Sequence, residues 1–177
     1  MVVFITVPHA GCFEFPKERH CDRLAEKAGY SLYYLIPDSI IFVGKVFRGD
    51  LDLNRDQALN DPFRVNIRQA VSKFRPSIVL DTHSFPEKYS NFGDVDIMIL
   101  DEKPGTIYGR DIARFLRDKT SYRVAYSQGD GNSIMIEMRR MGIPSILIEF
   151  MENLRDDDLA IISEKILEWL VLNGFHD

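Results

Sequence analysis

Apolar residues arrive along this chain in short unbroken runs, separated by stretches with helical spacing. Val2 to Val7 is a continuous, largely β-branched run ended by Pro8, the pattern of a strand covered on both faces. Between Lys17 and Ala28 the residues Cys21, Leu24, Ala25 and Ala28 recur at helical intervals, and Gly29 stands where a left-handed residue would close the helix. Ile40 to Phe47 reads as a second strand, interrupted by Gly44. Asp61-Pro62 is an N-cap followed by proline at the first helical position, and Phe63, Ile67, Ala70, Val71 and Phe74 form one apolar stripe behind it. Ser77 to Asp81 is the next strand and Val95 to Leu100 another. Gly105 to Leu116 is amphipathic, Tyr122 to Tyr126 short and β-rich, and Ser133 to Met141 helical. Pro144 to Phe150 reads as the last strand, and Asp156 to Leu172 as a closing amphipathic helix before Gly174.

Strands that alternate with helices need crossover connections. The expected fold is therefore α/β, a three-layer α/β/α arrangement around a mostly parallel, mixed central sheet. The 177 residues suit one domain, residues 1–177, with no linker and no repeat. A net charge of -5 argues against a nucleic-acid partner, although Arg139-Arg140 is a local basic pair. No apolar run approaches the length of a membrane span, and the N-terminal MVVFITVPH has neither a basic leader nor a cleavage site. The expectation is a cytoplasmic protein without a membrane partner and with Cys12 and Cys21 as free thiols; the oligomeric state stays open.

In open α/β sheets the ligand site lies beyond the carboxyl ends of the strands. His9 follows the first strand, Asp81 and His83 follow "SIVL", and Glu149 ends "SILI". Asp50 to Asp56 adds a second polar cluster. Two histidines at converging strand ends suit a divalent metal ion, and catalytic zinc takes three protein ligands with one open position. Glu14, in the loop after His9, is the expected third ligand, with Glu18 as the fallback. Two neutral imidazoles and one carboxylate leave such an ion with one net positive charge, and Glu149 is then the expected general base. Glu137 in "IMIEMRR" competes for that role. Asp81 has two readings, a cap on the loop or a partner that orients His83. Arg55 likewise either faces the site or pairs with Asp52 or Asp56. Cys12, near His9, could be a nucleophile, but no group beside it lowers its pKa.

The segments "VPHAGCFEFP", "DLDLNRD", "DTHSFPEKY" and "PSILIEFMENL" resemble, in order and relative position, those that mark the N-formylglutamate amidohydrolases, metal-dependent hydrolases related to the zinc carboxypeptidases. The likeness runs from the first strand to the last. It implies a carboxypeptidase-like fold, with His9 and His83 as zinc ligands and Glu149 as the residue that handles the proton of water and then the leaving amine. It also implies that Asn54 and Arg55 receive a substrate carboxylate, which an arginine fork can bind through two hydrogen bonds. The "LIE" ending also marks zinc-dependent peptidoglycan amidases. In the carboxypeptidases the carboxylate ligand stands three residues beyond the first histidine, whereas Glu14 stands five beyond His9. The implied activity is hydrolysis of an amide bond in an N-acyl amino acid or short peptide. A zinc carboxypeptidase, a peptidoglycan-type amidase and a non-catalytic binding domain of the same fold are the alternatives.

Overall fold

The computed structural model describes residues 1–12, 21–87, 94–102, 107–129 and 132–176. Six strands form one sheet in the order β2-β1-β3-β6-β4-β5. β1 (Val3–Val7) lies between β2 (Ser39–Val43) and β3 (Ile78–Phe85), parallel to both, and β3 runs parallel to β6 (Ser145–Met151). β4 (Ile97–Glu102) is antiparallel to β6 and parallel to β5 (Val124–Gly129), so the sheet is mixed and mostly parallel, as expected.

Side-chain alternation assigns each face of the sheet its helices. On one face Ile5, Leu80 and Ile148 pack with Leu32 of α1 (Ala25–Leu35), Ile112 of α3 (Ile107–Lys119) and Ile166 of α5 (Asp156–Leu172). On the other, Phe4 and Val79 meet Ile67 and Val71 of α2 (Pro62–Phe74) and Ile134 and Met138 of α4 (Ser133–Arg140). The three layers match the expectation. Because α4 is only eight residues long, the α2/α4 face is open beyond it, and Thr6, Asp81, His83 and Glu149 lie on that face.

Several boundaries differ from the sequence reading for identifiable reasons. Asp61 caps α2 as expected, its carboxylate accepting from the Phe63 N–H at 2.8 Å. Gly29, however, does not end a helix. It lies buried inside α1, where a Cβ would come within 2.5 Å of Val7 Cγ2, so the missing side chain lets the helix sit close on the sheet. The helix instead stops before Pro37. β2 ends at Val43 rather than Phe47. β3 continues four residues past Asp81 to Phe85, because β6 supplies ladder partners that far. The expected free thiols are also corrected, since Cys12 and Cys21 are joined in a disulfide. Among the described residues no helix is long and apolar enough to cross a membrane.

Candidate metal centre

His9 is set by the end of β1. Pro8 and Ala10 carry it just past the strand, and the chain returns so that the Asp22 N–H donates to the His9 carbonyl at 3.1 Å. The Cys12–Cys21 disulfide ties the two ends of this excursion together, and Asp22 follows directly on Cys21. His83 stands inside β3, not beyond it, and pairs in register with Glu149 of β6. These elements bring His9, Asp22 and His83 together as buried side chains, with one potential ligand atom from each lying within 4.8 Å of the others.

The geometry has a clear polarity. Asp22 Oδ2 lies 2.8 Å from His83 Nδ1 and 3.1 Å from His9 Nδ1, so both Nδ1 atoms turn toward one carboxylate oxygen. Each Nε2 is held from behind by a different carboxylate: His9 Nε2 by Asp52 Oδ1 at 2.8 Å, and His83 Nε2 by Asp81 Oδ2 at 3.1 Å. When an ion sits among them, a proton on each Nε2 donates outward to a carboxylate and frees Nδ1 as the inward lone pair, which is how metal-ligating histidines are oriented. Donors about 2 Å from a tetrahedral ion stand roughly 3.3 Å apart, near the 2.8 and 3.1 Å from Asp22 Oδ2 to the two Nδ1 atoms. The donor set, two imidazoles and a carboxylate, therefore fits a divalent ion.

A second layer of polar groups holds this arrangement. Asp81 is fully buried and also accepts from Thr6 Oγ1 at 2.6 Å and Asn132 Nδ2 at 2.8 Å. Asn54 Nδ2 reaches Asp81 Oδ2 at 3.5 Å and lies 3.2 Å from His83 Nε2, while its Oδ1 accepts from the Ile134 N–H. Beneath them the fully buried Arg64 donates to the Leu53 carbonyl, to Ser133 Oγ and to Glu137. It thereby ties the 53–54 backbone to the start of α4, the two segments that carry Asn54 and Asn132. A buried guanidinium needs such partners, and it has them.

Electrostatics follow from this packing. Burial works against the Asp22 carboxylate, but the hydrogen bonds from His83 and His9 outweigh it and hold the group well below the usual range. Asp81 is lowered in the same way, its burial overcome by the charge and hydrogen bond of His83. Burial would depress His83, yet the charge of Asp81 and the hydrogen bond to Asp22 push it up to about 10. Glu149 goes the other way. Burial raises its carboxyl above the ordinary glutamate range, and His83 offsets this only in part.

A cavity of about 340 Å3 opens over these groups, lined among others by His9, Asp22, His83, Glu149, Arg48 and Arg55. Asn54 lines it too, from a buried position. Arg55 is exposed at its wall, with Nε 3.7 Å from Asp52 Oδ2. Glu137 is bound by Arg64 and Arg68 instead. Glu14 and Glu18 lie outside the described residues. Among the described residues, the carboxylate that joins the two histidines is Asp22, and Asp52 and Arg48 complete the surroundings; the sequence reading gave none of the three a place at the metal. Asp22 is 13 positions from His9, without a ligand spacing to mark it. Asp52, in the noticed "DLNR" segment, could have been found by asking what holds the far nitrogen of His9.

No family model and no curated protein matches this chain. Solved structures do. The chain superposes on N-formylglutamate amidohydrolase from Ralstonia eutropha JMP134 with a TM-score of 0.67 at 15% identity, covering 97% of this chain and 94% of that one. The catalytic domain of CwlV, an N-acetylmuramoyl-L-alanine amidase from Bacillus (Paenibacillus) polymyxa var. colistinus, gives 0.64 at 11% identity, with 99% of both chains covered. A metallo-carboxypeptidase from Burkholderia cenocepacia gives 0.60 at 11% identity over 98% of this chain and 56% of that one. The fold of this chain is the α/β fold shared by these proteins.

Proposed function

We propose that this protein is a metal-dependent hydrolase that cleaves the amide bond of an N-acyl amino acid or short peptide. The observation that carries the reading is the convergence of His9 Nδ1 and His83 Nδ1 on Asp22 Oδ2, with Glu149 paired to His83 on the neighbouring strand. In this reading His9, Asp22 and His83 hold one divalent ion, and the mixed nitrogen and oxygen donor set suits zinc. Such an ion supplies Lewis-acid polarisation of an amide carbonyl and a lowered pKa for water.

The chain's own groups do the rest. Glu149 takes a proton from the attacking water and passes it to the amine as the carbon–nitrogen bond breaks, and its raised pKa suits both steps. Asp52 and Asp81 keep the imidazoles in the tautomer that presents Nδ1. Arg55 receives a substrate carboxylate, and Asn54, whose amide nitrogen leans on Asp81, keeps that segment beside the metal donors. The names of the structural neighbours support amide chemistry. A domain that only binds its ligand has no use for a partly desolvated carboxylate beside the donors. The test is elemental analysis of the purified protein, then a screen of N-formyl and N-acetyl amino acids with and without chelator. One equivalent of metal and a chelator-sensitive release of free amine are expected. A protein that carries and takes up no metal, or hydrolyses without regard to chelator, rules the reading out.

A further inference from the structure

Asp22 and Asp52 divide their oxygens in the same way. Asp22 turns Oδ2 to the two imidazoles, while its Oδ1 accepts from Arg48 Nη1 at 3.3 Å. Asp52 turns Oδ1 to His9 and to the Asn54 N–H, while its Oδ2 accepts from Arg48 Nε at 3.3 Å. One guanidinium thus takes the outer oxygen of both carboxylates. Its fork of donors reaches two acceptors at once. Backbone packing brings it there. A Cβ on Gly11 would lie 2.6 Å from the Val46 carbonyl oxygen, and one on Gly44 2.5 Å from that of Pro8, so the two glycines let the Arg48 loop close onto the His9 segment.

We propose that Arg48 is a positioning residue that restricts Asp22 to one-oxygen ligation, an inference that rests on the metal reading above. A carboxylate facing a divalent ion can bind it through one oxygen or through both. Binding through both would fill a position that water or the substrate carbonyl needs. With Oδ1 engaged by Arg48, only Oδ2 is presented, and the described residues contribute three donor atoms.

The experiment uses cobalt(II) in place of the resident ion, because its visible absorption weakens severalfold as coordination number rises. Wild-type protein and the Arg48→Met and Arg48→Lys variants are loaded with one equivalent, and bound metal is measured separately. The expected result is a severalfold weaker visible band for Arg48→Met with cobalt still bound, and recovery toward the wild-type band for Arg48→Lys, whose ammonium can still cap Asp22 Oδ1. Equal spectra for wild type and Arg48→Met, or equal loss in both variants, overturn the proposal. X-ray absorption on wild-type protein serves even if a variant fails to fold, since both Asp22 oxygens at bonding distance also overturn it. Failure of wild-type protein to bind cobalt would instead sink the metal reading, so the two failures are distinguishable.

Discussion

His83 on β3 and Glu149 on β6 are register partners across two parallel strands, on the same face of the sheet. The pairing holds a candidate metal ligand and a candidate base one strand spacing apart, about 4.8 Å, on backbone that a ladder of hydrogen bonds keeps rigid. Asp81, two residues before His83, shares that face and touches the imidazole from behind. The loop-cap reading of Asp81 would need β3 to end there, and it runs on to Phe85.

Glu149→Gln keeps the shape of the site and removes the base. Turnover should fall by roughly 10²–10⁴ with metal content unchanged, read by steady-state kinetics and elemental analysis on one preparation. Full activity would return the role of base to another group.

Asp22 and Asp52 should separate in a metal titration. Asp22→Asn removes the charged donor and should abolish stoichiometric binding. Asp52→Asn only loosens the hold on His9 Nε2, and chelator competition should show about a 10–100-fold loss of affinity. Equal losses would mean that the two carboxylates are not in different layers.

The Cys12–Cys21 bridge closes a short loop whose ends carry His9 and Asp22. Chain entropy for about ten residues corresponds to roughly 2.5 kcal/mol. A thiol reductant, or Cys12→Ser with Cys21→Ser, should lower the melting temperature and weaken metal binding together. Loss of stability with metal affinity untouched would show that the bridge serves the fold and not the centre.

Gly29→Ala sets helix propensity against packing. Alanine gains about 1 kcal/mol in a helix interior, but a methyl 2.5 Å from Val7 Cγ2 overpacks a buried contact at a cost of roughly 1–3 kcal/mol. Net destabilisation is expected in denaturant titration, and a stabilised variant would mean that α1 lifts off the sheet without penalty.

Asp96 carries a pH dependence remote from the site. The side-chain hydrogen bond from Arg123 is the largest influence on it and holds its carboxyl below the ordinary aspartate value of 3.8, so the pair adds stability above that pH and loses it as pH falls through the lowered value. Arg123 is half exposed, so solvent screening keeps the effect small. Asp96→Asn should therefore match wild type in strong acid and be slightly less stable at neutral pH. A deficit that persists in strong acid would point to packing instead of charge.

The apolar runs and helical stripes of the sequence were enough to determine a mostly parallel α/β sheet and to place His9 just past β1, because strand burial and strand ends are properties of consecutive residues; His83 and Glu149, read as strand ends, lie inside β3 and β6, because the ladder between those two strands carries both on to Phe85 and Met151. The cap at Asp61-Pro62 was legible for the same reason, being chemistry within one turn. What closes the centre was not. Asp22 reaches the histidines through a returning loop and a disulfide, Asp52 and Arg48 come in from the segment after β2, and Gly29 is a packing residue only because β1 and β3 lie beneath it. The tertiary structure decided these, since a donor set is fixed by distances between atoms far apart in the chain, and local spacing carries no record of those distances.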